Sequence, residues 1–304
     1  MSITLKNLSK TYGTQKAVDS ISFDIPTGQI VGFLGPNGAG KSTTMKMLTG
    51  FISPTSGSAT INGLDIEKDA LEVRKLVGYL PENNPQYTDM YVAEYLHFVA
   101  SVYQLGKNAH SKVEEMISIT GLTPERKKKI GQLSKGYRQR VGIAQAMIHD
   151  PKVLILDEPT SGLDPNQLVD IRNLIIQLGK EKTVILSTHI MQEVQAMCDR
   201  AIIINQGVIV ADDRIELLTS NDKKRQEIEV EFIEVVDKNL LLAIDGIKEA
   251  HPLKGNGWKL ISDKKTDMRV ALFEFAKNNQ FTLIKIQVNE HNMEEVFKDL
   301  TKKK

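Results

Sequence analysis

The chain has 304 residues, of which 41% are hydrophobic, so it is long enough to bury one large core or two smaller ones. Its 39 lysines and arginines balance 38 aspartates and glutamates, which gives no electrostatic argument for a nucleic-acid partner. The single cysteine, Cys198, excludes a disulfide framework and a cysteine-based metal site and favours a reducing compartment.

Membrane-directed segments are not expected from this sequence. The N-terminus lacks the charged-then-apolar order of a secretory signal. The longest apolar runs cover only four or five residues, whereas a helix needs roughly 20 to cross a bilayer. We therefore expect a soluble protein, which another molecule would have to hold if it acts at a membrane.

A glycine-rich loop near the N-terminus is the most informative stretch of the chain. Strand patterns over 2–8 and 20–25 precede it, an apolar run over 29–34 leads into it, and a run without helix breakers over 43–48 follows. Glycines let backbone N–H groups surround an anion at a helix N-terminus. The order strand, loop, helix therefore predicts a nucleoside triphosphate site, with Lys41 on the β- and γ-phosphates and Ser42 on Mg²⁺. The residues of this phosphate loop are Gly35, Pro36, Asn37, Gly38, Ala39, Gly40, Lys41, Ser42 and Thr43.

The rest of the segment up to residue 220 alternates helix and strand patterns. A short hairpin is predicted around 58–61. Helices are predicted over 91–104, 112–119, 135–149 and 166–178, and strands over 153–157, 183–187, 201–204 and 207–211. This alternation predicts an α/β nucleotide-binding core with a parallel sheet over 1–220. The helices within about 88–150 predict a helical lobe inserted into that core.

The pattern changes after residue 220. A fully polar stretch over 221–227 is typical of a linker. Beyond it we predict strands over 228–232, 248–253, 257–262 and 282–288, and helices over 238–244, 267–277 and from Met293 onward. The order β-α-β-β-α-β is that of a ferredoxin-like α+β domain, which predicts a small accessory domain over 228–304. We expect it to serve dimer contacts or regulation, with a purely structural role as the alternative.

Three further motifs indicate what the chain does with a nucleotide. The apolar run 153–156 delivers Asp157, placed to hold Mg²⁺, and Glu158, placed to activate a water for attack on the γ-phosphate. Ser134 and Gly136 open a predicted helix and form a second anion-binding tip. His189 follows a strand closely, where an imidazole could contact the γ-phosphate. Taken alone, a histidine at that position is more often structural or solvated, and only the combination favours a catalytic role.

In combination these motifs resemble the ATP-binding subunit of ATP-binding cassette (ABC) transporters over residues 2 to about 220. The resemblance implies that ATP and Mg²⁺ are bound, that Tyr12 stacks on adenine, and that Ser134 to Gln139 is the signature motif. It also implies a D-loop and a switch histidine, His189. The D-loop residues are Ser161, Gly162, Leu163 and Asp164.

This chain departs from the family pattern at two places. The signature reads Leu-Ser-Lys-Gly-Tyr instead of the commoner Leu-Ser-Gly-Gly-Gln, although Ser134 and Gly136 are kept. Glu82 stands where a Mg²⁺-coordinating glutamine is usual, so the resemblance implies a metal ligand that brings an additional negative charge.

The narrower resemblance is to ABC-2 export subunits and, through Tyr79–Tyr87 and Asp89–Leu96, to gliding-motility-associated ATP-binding proteins. It implies a separate membrane permease as partner and a peripheral location on the cytoplasmic face of the cell membrane. It also implies a second cassette, most simply an identical chain, although a paralogue stays open.

Two other classes of function compete with transport. ABC proteins that act on ribosomes resemble a fusion of two cassettes in one chain, whereas this chain has one set of motifs. In those of DNA repair, long coiled coils separate the phosphate loop from the signature motif, whereas Lys41 and Ser134 are close in this sequence. A P-loop kinase would share the phosphate loop, but it has no need of Glu158 directly after Asp157 or of the signature motif. The sequence therefore favours a transport ATPase.

Overall fold

The computed structural model describes residues 2–220, 226–262 and 267–289, together with 297 and 301. The chain divides into two compact units, and the division falls between Ile215 and Glu216. The sequence predicted the boundary at 220, within the helix that begins at Ile215. Each unit is described below by itself.

The first unit contains ten strands, seven α-helices and three short 3₁₀-helices in the described residues, and an eighth α-helix begins at the division. Its strands are β1 Ile3–Tyr12, β2 Gln15–Ile25, β3 Ile30–Leu34, β4 Ser56–Ile61, β5 Leu64–Asp65, β6 Val77–Leu80, β7 Val153–Asp157, β8 Thr183–Thr188, β9 Arg200–Asn205 and β10 Val208–Arg214. Its helices are α1 Lys41–Leu48, α2 Ala70–Leu76, α3 Val92–Val102, α4 Ala109–Ile119, α5 Lys135–Met147, α6 Pro165–Gly179 and α7 Met191–Met197, followed by α8 Ile215–Ser220.

A six-stranded sheet in the order β10-β9-β3-β8-β7-β6 forms the centre of this unit. All its pairings are parallel except that of β9 with β10. Every residue of β3, β7 and β8 is buried, as expected for strands covered on both faces. The predicted parallel α/β core is therefore confirmed.

The register of the parallel strands fixes where the motifs meet. Leu34 at the end of β3 lies beside Thr188 at the end of β8, and Asp157 at the end of β7 lies beside Ser187. Because parallel strands finish at the same edge, the loops that follow them emerge side by side. These loops include the phosphate loop after β3, Glu158 after β7 and His189 after β8.

Two apolar clusters hold the layers of this unit together. One joins a four-stranded antiparallel sheet, in the order β2-β1-β4-β5, to α1 and one face of the parallel sheet. Phe23 of β2 and Phe33 of β3 meet there with ring centroids 5.8 Å apart. The other cluster contains buried side chains of α3, α4, α5 and α6 together with Leu154, Leu156, Val184 and Leu186. The β-sheet core is thus covered on both faces, as its apolar strands require.

Some elements of this unit were not predicted. The sequence pattern missed α2, β6 and α7, which have only seven, four and seven residues. Such short elements give little periodicity to detect, and Gly78 interrupts the apolar run of β6. The predicted strands and helices extend further than expected at several ends; β1 continues to Tyr12 and α4 begins at Ala109.

The second unit has the element order strand, helix, strand, strand, helix, strand. Its elements are β11 Gln226–Phe232, α9 Lys238–Leu242, β12 Ile247–Pro252, β13 Gly257–Ser262, α10 Arg269–Asn278 and β14 Leu283–Asn289. The strands form an antiparallel sheet in the order β12-β13-β11-β14. Its apolar core contains Ile228, Val230, Phe232, Leu260 and Leu272.

The predicted linker over 221–227 is wrong at its C-terminal end, because Gln226 and Glu227 pair with β13 as the first residues of β11. Residues 221–225 lie outside the described residues. The helix predicted from Met293 also lies outside them, except that Phe297 and Thr301 are helical. Thr301 Oγ1 donates to the Phe297 carbonyl at 2.6 Å.

Within the described ranges, no helix combines the length and the apolar character that crossing a bilayer requires.

Two phenylalanines test the core of the second unit. Phe232 is 1% exposed and packs against the rings of Phe275 and Phe281, whereas Phe273 is 62% exposed. We expect Phe232→Ala to lower the free energy of unfolding of this unit by about 3–5 kcal/mol, and Phe273→Ala by less than about 0.5 kcal/mol. Trp258, the single tryptophan, packs against this core, so its fluorescence during urea unfolding measures the change. Equal losses in the two variants would contradict the assigned core.

Candidate functional site

A cavity of about 420 Å³ lies at the carboxyl edge of the parallel sheet. Its lining residues are Ala17, Asn37, Gly38, Gly40, Lys41, Ser42, Thr43, Glu82, Glu158, Ser161 and His189. All of them except Ala17 are candidate site residues from the sequence. Segments separated by more than a hundred residues therefore converge on one space.

The phosphate loop needs its glycines for two different physical reasons. A side chain at Gly35 would place Cβ 2.4 Å from the Ile204 carbonyl oxygen. At Gly40, which has φ +110°, a Cβ would lie 2.5 Å from the Ala17 carbonyl oxygen, and the left-handed conformation itself excludes most other residues. Gly35 thus permits close packing, and Gly40 permits the turn into α1.

Lys41 is the first residue of α1 and is buried, with 6% of its side chain exposed. Its Nζ donates to the Gly35 carbonyl oxygen at 2.7 Å and lies 3.6 Å from Glu158 Oε1. A buried ammonium is stable only when it is paired and hydrogen-bonded. The loop and Glu158 together meet that requirement and hold the cation at the cavity wall.

Asp157 and Ser42 lie together beside the cavity. Ser42 Oγ donates to Asp157 Oδ1 at 3.1 Å, and Ser187 Oγ donates to the same oxygen. No group of three or more histidine, cysteine, aspartate or glutamate side chains suited to a metal occurs in the described residues. Mg²⁺ needs none, because it is usually held by one or two carboxylates, waters and substrate phosphates. The hydroxyl and carboxylate oxygens of Ser42 and Asp157 fit that type of site, and Glu82 lines the same cavity.

Glu158 occupies an unusual backbone conformation, with φ +50°. Its backbone N–H donates to Ser187 Oγ at 3.0 Å and to the Ser187 carbonyl oxygen at 3.1 Å, which ties the loop to the end of β8. Positive φ in a residue with a side chain costs free energy and is enriched at functional sites. Here it directs the carboxylate into the cavity between Lys41 and His189.

The side chain of Glu158 is 8% exposed, and burial raises the pKa of its carboxyl group above the usual value. The charges of His189 and Lys41 act in the opposite direction. His189 Nδ1 lies 2.9 Å from Glu158 Oε2, while the histidine itself is 48% exposed. A carboxylate of raised pKa, held against an imidazole and open to a cavity, is suited to accept a proton from water.

Six predicted nucleotide contacts do not line this cavity. Gly35, Pro36 and Ala39 belong to the phosphate loop itself, whereas Tyr12, Ser134 and Gly136 lie elsewhere in the chain. Tyr12 is half exposed, with Lys10 Nζ 5.4 Å from its ring centroid. Ser134 is the N-cap of α5 and accepts from the Tyr137 N–H at 3.3 Å. A Cβ on Gly136 would lie 2.4 Å from Gln167 Oε1, so this glycine packs closely against α6.

The predicted D-loop connects the cavity to α6. Ser161 lines the cavity, Gly162 has φ +67°, and Leu163 packs against the helical cluster. Asp164 caps α6 by accepting from the N–H groups of Asn166 and Gln167 at 3.0 and 2.9 Å.

Sequence reasoning missed Ser187, Ala17 and a hydrogen bond from α5, which we call the signature helix because the signature motif forms its start. Ser187 contacts both Asp157 and the Glu158 backbone, and its place directly before Thr188 and His189 was the available signal. Gln139 of α5 donates to the Pro159 carbonyl at 2.8 Å and so joins the signature helix to the loop that carries Glu158. The Ala17 carbonyl oxygen lies against Gly40 of the phosphate loop, and no sequence signal marks this residue.

The family model for ABC transporters matches residues 18–161. The chain is 38% identical to the bacitracin transport ATP-binding protein BcrA of Bacillus licheniformis over 230 residues, which are 75% of this chain and 74% of that protein. It is 32% identical to the linearmycin resistance ATP-binding protein LnrL of Bacillus subtilis over 302 residues, 97% of each chain. Among solved structures it resembles the dimeric ATP-binding cassette MJ0796 bound to ADP and phosphate, with a TM-score of 0.65 and 25% identity over 70% of this chain and 98% of that one. With a phosphate loop, a paired aspartate and glutamate and a histidine around one cavity, and with these relatives, the chain belongs to the ATP-hydrolysing, ATP-binding subunits of ABC transporters.

Proposed function

We propose that the chain powers an exporter of the ABC-2 type, with Mg-ATP held between two cassettes and a separate permease forming the path across the membrane. The observation that carries the catalytic part is the convergence of Lys41, Glu158 and His189 on one cavity. The relatives that are named for bacitracin transport and linearmycin resistance support export of a small compound. A link to gliding motility rests only on the resemblance around Tyr79–Leu96, and it stays a prediction.

The phosphates of ATP would lie against the backbone N–H groups of the loop and against Lys41. Lys41 lies 3.6 Å from Glu158 Oε1, so phosphate binding would compete with this ion pair and release the Glu158 carboxylate toward water. Ser42 and Asp157 would hold Mg²⁺, which neutralises phosphate charge when bound. His189 would contact the γ-phosphate while its Nδ1 orients Glu158.

Glu82 would be a third oxygen ligand at the metal. It is exposed and lines the nucleotide cavity as well as the neighbouring one of about 390 Å³, which Asp157 and Ser42 also line. A glutamate adds negative charge where phosphates bind, so we expect it to increase the dependence of ATP binding on the divalent ion.

We predict that Glu158→Gln lowers ATP turnover by roughly 10²–10⁴-fold, because the amide keeps the shape of the side chain and loses its basicity. ATP binding, measured by a fluorescent nucleotide analogue, should stay close to that of the unmodified protein. Glu181→Gln, at an exposed glutamate on the same unit, is the matched control. Full turnover in Glu158→Gln would show that Glu158 is not the base.

Lys41→Ala should act on binding instead, because it removes the cation that would face the β- and γ-phosphates. The same nucleotide titration should show a lost or strongly weakened signal, whereas Lys180→Ala, which removes an exposed lysine, should not. Unchanged binding in Lys41→Ala would contradict the proposed phosphate position.

The second cassette follows from the residues that lie away from the cavity. Ser134 and Gly136 form an anion-binding tip at the start of α5 but do not line the space beside Lys41. Two chains arranged head to tail would bring the tip of one against the γ-phosphate held by the other and would exclude water. Tyr12 would stack on the adenine at the outer end of each site.

We predict that Glu158→Gln with ATP is dimeric and that the same protein without nucleotide is largely monomeric. Slow hydrolysis keeps ATP between the chains, so light scattering after gel filtration should detect a doubled mass. Ser134→Arg in the Glu158→Gln chain should abolish the dimer, since the longer side chain would occupy the phosphate position. A mass that does not respond to ATP would favour an unlike partner chain.

A groove beside α3 supports a membrane partner. This second cavity, of about 400 Å³, is lined by Phe51, Tyr79, Tyr103 and Gln145, among others, and Phe51 is 75% exposed. We infer that a short cytoplasmic helix of the permease lies there, because aromatic residues in a groove suit the apolar face of a helix.

Co-purification tests the transport function. Expressed in its native host, the tagged chain should retain a polytopic membrane protein, and Phe51→Asp should lose it while the purified variant still binds ATP. Leu71→Asp, at a position 70% exposed outside this groove, is the control. Recovery with ribosomes or DNA would contradict a role in transport.

The C-terminal unit is proposed as a ferredoxin-like accessory domain for dimer contacts or regulation, and the helices of α3–α5 as the inserted lobe. Among the residues that the structure describes, none that lines the nucleotide cavity lies beyond His189. Removing residues from 221 onward should therefore change ATP affinity by less than about threefold. The truncation begins there because domain boundaries fall in exposed polar stretches. A folded truncation product that no longer binds ATP would show that the C-terminal unit contributes to the site.

A further inference from the structure

A buried carboxylate outside the nucleotide cavity joins the two loops that carry Glu158 and His189. Glu193 lies in the first turn of α7 and is 1% exposed. Its Oε2 accepts hydrogen bonds from Thr160 Oγ1 and from Thr188 Oγ1, the second at 3.2 Å. Thr160 follows Glu158 by two positions and Thr188 directly precedes His189. One carboxylate oxygen therefore contacts both loops.

The surroundings of Glu193 indicate that its contribution is the acceptor oxygen and not the filling of space. Thr160 and Thr188 are themselves buried, with 2% and 0% exposure. Glu193 Oε1 is buried without a hydrogen-bond partner among the described residues. A buried polar atom without a partner is costly, so an apolar side chain would suit this position better if filling space were its only role.

The loop of Glu158 needs an anchor that is independent of the cavity. Glu158 has φ +50°, and such a conformation persists only when the surrounding structure fixes it. The contact between His189 Nδ1 and Glu158 Oε2 joins the loops through the side chains that would themselves act on ATP and water. Glu193 joins them behind the cavity, through side chains that do not line it.

We propose that Glu193 is the positioning residue for the Glu158–His189 pair. By holding Thr160 and Thr188 on one oxygen, it fixes the spacing of the two loops while the side chains of the pair engage the nucleotide. This inference rests on the roles given to Glu158 and His189 under the proposed function.

The test uses the full chain and compares Glu193→Leu with Glu193→Gln. Leucine removes the acceptor, so turnover should fall at least about tenfold while KM for ATP stays within about twofold, the pattern of a misplaced catalytic group. Glutamine keeps a carbonyl acceptor and should retain turnover within about threefold, because each loop keeps its hydrogen bond. Gln195→Ala removes an exposed side chain from the same helix and should change neither quantity.

Two outcomes overturn the proposal. One is a Glu193→Leu protein that turns over ATP as fast as the unmodified chain. The other is a folded variant in which KM rises while turnover is kept. Glu158→Gln, assayed alongside, separates the failures: a fully active Glu158→Gln chain overturns the assigned base and this proposal with it. An inactive Glu158→Gln chain beside an active Glu193→Leu chain overturns only the role of Glu193.

A second pair of variants is available if Glu193→Leu does not fold. Thr160→Val removes one hydroxyl and keeps the side-chain shape, whereas Thr160→Ser keeps the hydroxyl that reaches Glu193. Turnover should fall several-fold in the valine variant and be restored in the serine variant, with KM for ATP unchanged in both. Equal turnover in the two variants would overturn the proposal.

Discussion

The structure depends on the parallel register that brings the ends of β3, β7 and β8 to one edge. Leu34 lies beside Thr188 and Asp157 beside Ser187, so the loops after these strands begin next to each other. A slip of one residue would displace a loop by about 3.3 Å and reverse the direction of its side chains. The buried strands resist such a slip because their residues are covered on both faces. Rigid strands thus fix the positions of the residues that carry the chemistry.

Burial gives the charged groups at this edge their chemical character. Lys41 and Glu158 are both nearly inaccessible, and each compensates the charge of the other at 3.6 Å. Burial raises the pKa of Glu158, while His189 and Lys41 act against that increase. In a site with little water such charges interact more strongly than they would at the surface. Phosphate would compete for Lys41, and the availability of the Glu158 carboxylate would therefore depend on the nucleotide.

Some residues of the site would contact ATP, and others hold those residues in place. Ser187 holds Asp157 and the Glu158 backbone, Gln139 holds the Pro159 carbonyl, and Glu193 holds Thr160 and Thr188. These supporting contacts come from β8, α5 and α7, which surround the loop of residues 158–164. Each of these elements therefore contacts the loop that carries Glu158 through residues that do not line the nucleotide cavity.

The sequence was enough to predict the phosphate loop, the Asp157–Glu158 pair and the parallel α/β core, because short apolar strands and glycine spacing are local features. It predicted ten of the residues that line the cavity. The folded chain was needed to show that Ala17 and Ser187 belong to the site, since their neighbours are distant in the chain. The same holds for Gln226 and Glu227 of β11, because a polar stretch becomes a strand only when partner strands satisfy its backbone groups. The role of a buried carboxylate such as Glu193 has the same origin: its partners are set by packing, which no local pattern records.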